Sequence, residues 1–311
     1  MAFTQNDRFP AIANEWNQQI VSIDPSWSKF CNVRSDNVMA LQNYADITPG
    51  TLAAYSGTTI SEESKSYGAF ATQTVTADGF ARKVTLARQQ VNLDPGLVER
   101  EASKLFDAAV GTVEKSVYAA LEGGLTHMVD AGKGDGTNTY VLDGTFYLSD
   151  GSTQSNSMTD ALSATSLASA RQKMVQWKSY NGDPMGLGLG PLALIVSPKN
   201  EDLALQIVGS PTKLETFAHD AVGAAAGANI NPQAGRAIDV IVSPYLTADD
   251  DDWFLVQTGA QSPVFYWTQA APHMEIVTKA ETQQIVLSVT MYHKVFIQTP
   301  PNGIIGSNVP A

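Results

Sequence analysis

From Val98 onward the apolar residues Val98, Ala102, Leu105, Ala109, Val113, Val117 and Leu121 recur at steps of three or four. That spacing lines up one face of an α-helix. Asp94 ahead of the stripe can accept bonds from the first free backbone N–H groups, Pro95 suits the first helical position, and Glu99 and Glu101 stand where the helix dipole favours acids. Gly123 and Gly124 are expected to end the element. The pattern predicts a helix over residues 94–122, a rod of roughly 40 Å at about 1.5 Å per residue. A strand of similar length is predicted from Ile285 to Ile297: Ile285, Leu287, Val289, Met291, Val295 and Ile297 point one way and Ser288, Thr290, Tyr292 and Lys294 the other, as in a half-buried antiparallel strand. A unit built on two such rods is thin and has little interior of its own, so the geometry asks for neighbours.

The chain has 311 residues, of which 43% are hydrophobic, enough for one large domain or two ordinary ones. Cys31 is its one cysteine, so neither an intrachain disulfide nor a cysteine-based zinc site can form. The N-terminus MAFTQNDRFP lacks the basic and apolar regions of a secretion signal, and no apolar run approaches ~18 residues, so no membrane association is expected. A formal charge of −12 argues against gripping nucleic acid through its phosphates, but not against enclosing it.

The first 45 residues read as an arm: Ile12, Trp16 and Ile20 mark a short amphipathic helix after Pro10, and the remainder reads as irregular. With a few apolar anchors and little core, the arm is expected to pack on something other than itself. Residues 46–93 read as an extended loop, in which ATQTVTA and FARKVTLARQQV flank Asp78-Gly79, a hairpin-turn signal. A second hairpin is expected around YVLDGTFYL, then a helix over 159–178 with Leu162, Leu167, Met174 and Trp177 inward. Strands are expected at 192–196, 239–242, 254–257 and 264–267, with a helix over 199–208. Residues 185–260 therefore read as a compact α/β unit inserted between parts of an elongated one, and the fold class as α+β. The run AVGAAAGANINPQAG reads as a loop, with a helix through 221–228 as the alternative.

A search for chemistry finds little. His127, His219, His273 and His293 have no metal-ligand spacing, and neither a nucleophile elbow nor a phosphate loop occurs. GLGLG at 186–190 precedes a strand instead of joining a strand to a helix, which makes it a flexible connection. The acidic run Asp249 to Asp252 lacks the alternating ligands of a calcium loop and reads as a solvated turn. No cofactor, metal or catalytic residue is expected. What remains is an arm, a hairpin, a long helix and a long strand with apolar surface to cover, which suits a repeating closed assembly.

The order of parts resembles the major capsid protein of tailed double-stranded DNA phages, the Hong Kong 97-type fold. The segment WFLVQTGAQSPVFYWTQAAPHMEIVTKAETQQIVLSVTMYHKVFIQTPPNGIIGSN, residues 253–308, is similar to the C-terminal region of the Mu-like major head subunit family, and LIVSPKNEDLALQIV at 194–208 resembles the strand, turn and helix of the axial domain in such shells. The resemblance implies an N-terminal arm (1–45), an extended β-hairpin loop (46–93), a peripheral domain (94–184 and 261–311) with its spine helix, and an axial domain (185–260). It implies homo-pentamers and homo-hexamers closing into an icosahedral head around packaged DNA, made in the host cytoplasm and found in the virion. A separate scaffolding protein, a portal and a cement protein are the further partners it suggests, with no removal of the N-terminus. Inter-subunit contacts are expected at Ile12, Trp16, Ile20, Lys65, Tyr67, Arg82, Lys83 and Arg88. Lys65 lies where some members crosslink, but no motif supports the bond. The basic residues Arg82, Lys83, Arg88, Lys104 and Lys115 are expected to pair with acids of adjacent subunits. An encapsulin-type compartment shares the fold and is the first alternative; an extracellular β-rich hydrolase or adhesin, which leaves the long helix unexplained, is the second.

Overall fold

The computed structural model describes residues 5–38, 40–44, 72–94, 96–126, 145–147, 152–178, 182–209, 236–246, 251–297 and 303–307. In chain order the helices are α1 (Gln5–Ser22), α2 (Arg88–Leu93), α3 (Leu97–Thr126), α4 (Ala164–Val175) and α5 (Glu201–Gly209). The strands are β1 (Asn32–Ser35), β2 (Ala40–Tyr44), β3 (Thr72–Thr76), β4 (Asp78–Ala87), β5 (Thr145–Tyr147), β6 (Thr153–Ser155), β7 (Ser157–Met158), β8 (Leu192–Val196), β9 (Ile238–Val242), β10 (Trp253–Gln257), β11 (Val264–Lys279), β12 (Gln284–Ile297) and β13 (Ile304–Ser307). The loop or helix read in AVGAAAGANINPQAG lies outside the described residues.

Helix α3 buries the whole predicted stripe, from Val98 to Leu121, with no member more than 6% exposed. The helix begins at Leu97, three residues later than expected, so Asp94 does not cap it; its carboxylate accepts the Gly96 N–H at 3.1 Å in the turn before the helix and pairs with Arg100, whose guanidinium holds the carboxyl below its usual range. The helix does not stop at Gly123 and Gly124 but runs on to Thr126. A glycine costs only about 1 kcal/mol in a helix, and fully buried Leu121 anchors the turn before them.

One sheet has the order β1-β11-β12-β4. Its β12 matches the predicted strand, and its inward residues Ile285, Leu287 and Val289 pack with Met274 and Leu86 against Val98, Ala102, Leu105 and Ala109 of α3. The outward face is less open than expected: Val286 is buried, and Phe296 packs with Trp267 and Val75. Strand β11 runs far beyond residue 267, to Lys279, and is interrupted by register shifts between Thr268 and Ala270 and between Ala270 and His273. The second interruption spans Pro272, which has no N–H for a regular ladder.

The expected hairpin turn at Asp78-Gly79 is not formed. Strand β3 pairs with β2, and Asp78 and Gly79 lie inside β4, opposite His293 and Tyr292 of β12. Glycine serves there for close approach: a Cβ on Gly79 would come within 2.9 Å of the Tyr292 ring. Pairing with the long edge of β12 gives β4 a continuous ladder that a short β3 could not supply. The strand read through ARQQV stops at Ala87, where α2 begins.

The second sheet has the order β7-β13-β10-β8-β9, and every residue of β8, β10 and β13 is buried. Leu192, Leu194, Trp253, Leu255 and Ile305 face α4 and α5, contributing with Leu167, Met174 and Ile207 to one core. Ala193, Ile195, Phe254, Val256 and Ile304 face the other way, towards Val113, Val117, Tyr118 and Leu121 of α3. The first half of the helix thus packs on one sheet, and its second half lies between the two, since Met291, Val295 and Ile297 of β12 share its cluster. Because β7, β13 and α4 complete this layer, the boundaries expected at 185 and 260 cut through it.

The arm also differs from expectation. Helix α1 starts before Pro10 and lies on its own chain, with Phe9 and Trp16 buried over α3 and β11. The Trp16 indole N–H donates to the Ala102 carbonyl at 3.1 Å, and its ring meets Phe106 edge-on at 5.6 Å. Asn17 joins the main chain of Met274 on β11, donating at 3.2 Å and accepting at 2.8 Å. Trp27, Phe30 and Cys31 enter the core between the sheets, and β1 pairs parallel to β11. Large aromatic side chains bury more apolar area than their number in the sequence suggests, so an arm with few anchors still contributes core.

Candidate assembly surface

Strand β4 is the edge of its sheet, with no strand on its outer side among the described residues. Its alternation sets Phe80, Arg82, Val84 and Leu86 towards the helix side and Lys83 and Thr85 towards the opposite face. Arg82 and Lys83 are exposed, at mid-strand opposite Val289 and Ser288. Charged residues on an edge strand discourage indiscriminate pairing and leave cations for a chosen partner. Arg88 is engaged within the chain, its N–H donating to the Gln283 carbonyl at 2.9 Å and its guanidinium reaching the Gln283 side chain at 3.4 Å. Lys104 likewise pairs with Glu101 at 2.6 Å, one turn away on α3.

Of the other residues expected at contacts, Trp16 is only 4% exposed and belongs to the subunit core, with Ile12 and Ile20 half-buried beside it. Burial within its own subunit leaves Trp16 little surface for a neighbour, while Ile12 and Ile20 keep part of theirs. Lys65 and Tyr67 lie outside the described residues. Sequence reasoning missed exposed Leu93, the last residue of α2, and exposed Leu189 in the GLGLG turn. Their isolation between glycines or polar residues gave no periodic signal.

The GLGLG turn is a connection, as expected, but a tethered one. Gly186 and Gly188 take positive φ angles of 68° and 72°, the Gly188 N–H donates to the Gln257 side chain at 2.9 Å, and Leu187 is buried. Within the acidic run, Asp251 pairs with Lys199 at 2.8 Å and Asp252 is buried, while Asp249 and Asp250 lie outside the described residues. His127 and His219 are also outside them. Burial pushes the Cys31 thiol up, away from the reactive thiolate, and pushes Tyr266 up to about 12. Among the described residues, no group of three His, Cys, Asp or Glu side chains gathers, and no helix is long and apolar enough to cross a membrane.

A long helix shared by a four-stranded sheet and a five-stranded one is the arrangement of the Hong Kong 97-type fold. The chain belongs to the phage capsid protein family, which it matches over residues 70–300, and it is a major capsid protein. Its fold is similar to that of the cyanophage P-SCSP1u capsid, with a TM-score of 0.56 and 14% identity over 91% of this chain and 88% of that one. The mature capsid of bacteriophage PhiM1 gives 0.53 and 12% over 92% and 87% of the two chains. An encapsulin complex from Synechococcus elongatus gives 0.50 and 10% over 93% and 88%. No curated protein matches the chain in sequence.

Proposed function

We propose that this chain is the main tile of a tailed-phage head, assembling as homo-pentamers and homo-hexamers into an icosahedral shell around packaged double-stranded DNA. The observation that carries the reading is the family match across residues 70–300, a stretch that includes most of both sheets and the whole of α3. The similarity of residues 253–308 to the Mu-like head subunits supports placing the chain near that branch, and these residues form β10 to β13. In this reading the sheet of β1, β11, β12 and β4 with α3 is the peripheral domain. The sheet of β7 to β10 and β13, with α4 and α5, forms the axial domain and its junction.

The net charge of −12 suits a wall that repels its contents, so that DNA can be spooled inside and ejected, while subunit contacts supply strength. Arg82 and Lys83 are the exposed cations we assign to acidic groups of an adjacent subunit. A separate scaffolding protein, a portal and a cement protein complete the set of partners, and the chain itself catalyses nothing. The similarity to an encapsulin supports a second reading, a compartment around a protein cargo. The contents decide: particles purified from producing cells and treated with nuclease are expected to retain protected double-stranded DNA. Particles that carry a stoichiometric protein cargo and no protected DNA would overturn the phage-head reading in favour of the compartment.

A further inference from the structure

His293 lies on β12, only 1% exposed, between the sheet and α3. The Phe80 ring of β4 stacks on it at 4.7 Å and an 18° tilt, and Tyr266 of β11 lies 5.5 Å away on a tilted plane. Its Nε2 is 3.1 Å from the Ser116 hydroxyl of α3, a contact between the long helix and the long strand. The Ser116 hydroxyl donates its own hydrogen to the Thr112 carbonyl at 2.8 Å. Its oxygen is therefore the acceptor and Nε2 carries the hydrogen, which leaves Nδ1 as a bare nitrogen. Nδ1 is buried and has no hydrogen-bond partner among the described residues.

A proton on Nδ1 would give a buried cation with an N–H that meets no acceptor, a costly state while the interface stays closed. Two charges act on the ring from close by. Asp78, directly opposite on β4, favours the charged form, and Lys294, next along β12 and paired with Asp78 at 2.8 Å, opposes it. The other facing groups are neutral: Tyr266 and Thr268 from β11 and Ser116 from α3, where the adjoining charged residues are half-buried Glu114 and exposed Lys115. Burial outweighs Asp78, and the imidazole is pushed down to about 4.

We propose that this contact is an acid-sensitive latch: the neutral imidazole ties α3 to β12 through Ser116, and a proton taken up at Nδ1 releases that stretch of helix from the sheet. The released state lets water reach the imidazolium, so proton concentration sets how firmly the long helix sits on the sheet.

Amide hydrogen exchange of the purified full-length chain, corrected for the intrinsic pH dependence of exchange, tests the latch. Between about pH 7 and about pH 4.5, opening of residues 112–121 and 289–297 is expected to rise at least ~10-fold, with little change in α4 and β8. His293→Gln, which does not titrate, should flatten that dependence, and Asp78→Asn should move its midpoint to lower pH. Equal pH dependence in the wild type and His293→Gln, or a rise shared by α4 and β8, would overturn the proposal. If His293→Gln fails to fold, the ring titration of His293 in the wild-type chain decides: a midpoint below about 5.5 supports the latch, and one above it, near an ordinary histidine, overturns it.

Discussion

Replacing Trp16 by alanine separates the two roles an N-terminal arm can have. Trp16 is 4% exposed, donates its indole N–H to Ala102 at 3.1 Å and meets Phe106 edge-on at 5.6 Å, all within one subunit. Truncating a buried tryptophan to alanine costs about 3–5 kcal/mol, and roughly 1 kcal/mol of that belongs to the hydrogen bond. Against a total stability of about 5–15 kcal/mol this is a large fraction. With a urea slope of about 3 kcal/mol per molar for a chain of this size, the midpoint should fall by about 1 M or more. Trp16→Phe keeps the ring contact and should lose only about 1–2 kcal/mol. The assay is urea unfolding of the unassembled subunit, followed by tryptophan fluorescence and by circular dichroism. A Trp16→Ala subunit with an unchanged midpoint that no longer assembles would place the indole on a neighbour and refute the packing described above. By the same reasoning, removal of the first ~45 residues should leave an unstable subunit, since Phe9, Trp16, Trp27 and Phe30 would leave its core.

Other outcomes follow from particular contacts. Gly79→Val should cost about 1–3 kcal/mol by urea unfolding, because its side chain would enter the space of the Tyr292 ring, and Tyr292→Ala in the same chain should recover part of that loss. The double change Arg82→Glu and Lys83→Glu should leave subunit stability within about 0.5 kcal/mol while lowering the yield of assembled particles in light scattering; unchanged assembly would remove the edge cations from the interface. For His293 the folded pKa of about 4 lies below the ordinary histidine value of 6.5, so the unfolded chain binds the proton first as pH falls. Its contribution is complete above about pH 6.5 and is lost on descent through about pH 4, to a total of about 3 kcal/mol. Chemical denaturation of wild type and His293→Gln across that window checks the slope, and parallel curves would contradict it.

The long elements were legible because each shows one strong period over many residues. Every residue of the α3 stripe and every inward residue assigned to β12 is buried, since a face repeated that often leaves few alternatives for packing. Errors came where a local signal competed with a distant partner. Asp78-Gly79 has the composition of a turn, yet the ladder to β12 and the close approach of Tyr292 use the same two residues inside a strand. The strand expected at 264–267 runs on to Lys279, because β11 carries Pro272 at an irregularity in the register. The arm's contribution to the core was not legible because Ile12, Trp16 and Ile20 are few, and nothing in the sequence shows that α3 and β11 lie beneath them. The edge cations Arg82 and Lys83 were legible as charges, but only the sheet order makes them edge residues. The His293 contact left no sequence signal: it joins residues 177 positions apart and depends on the rotation of α3 over the sheet.

Electron microscopy of the purified chain, with its size distribution measured in the same solution, tests most directly whether this is the tile of a shell. Closed particles tens of nanometres across, or rings of five and six subunits that close when scaffolding protein is supplied, are the predicted result. A chain that remains monomeric at every concentration, with or without that partner, would contradict the account.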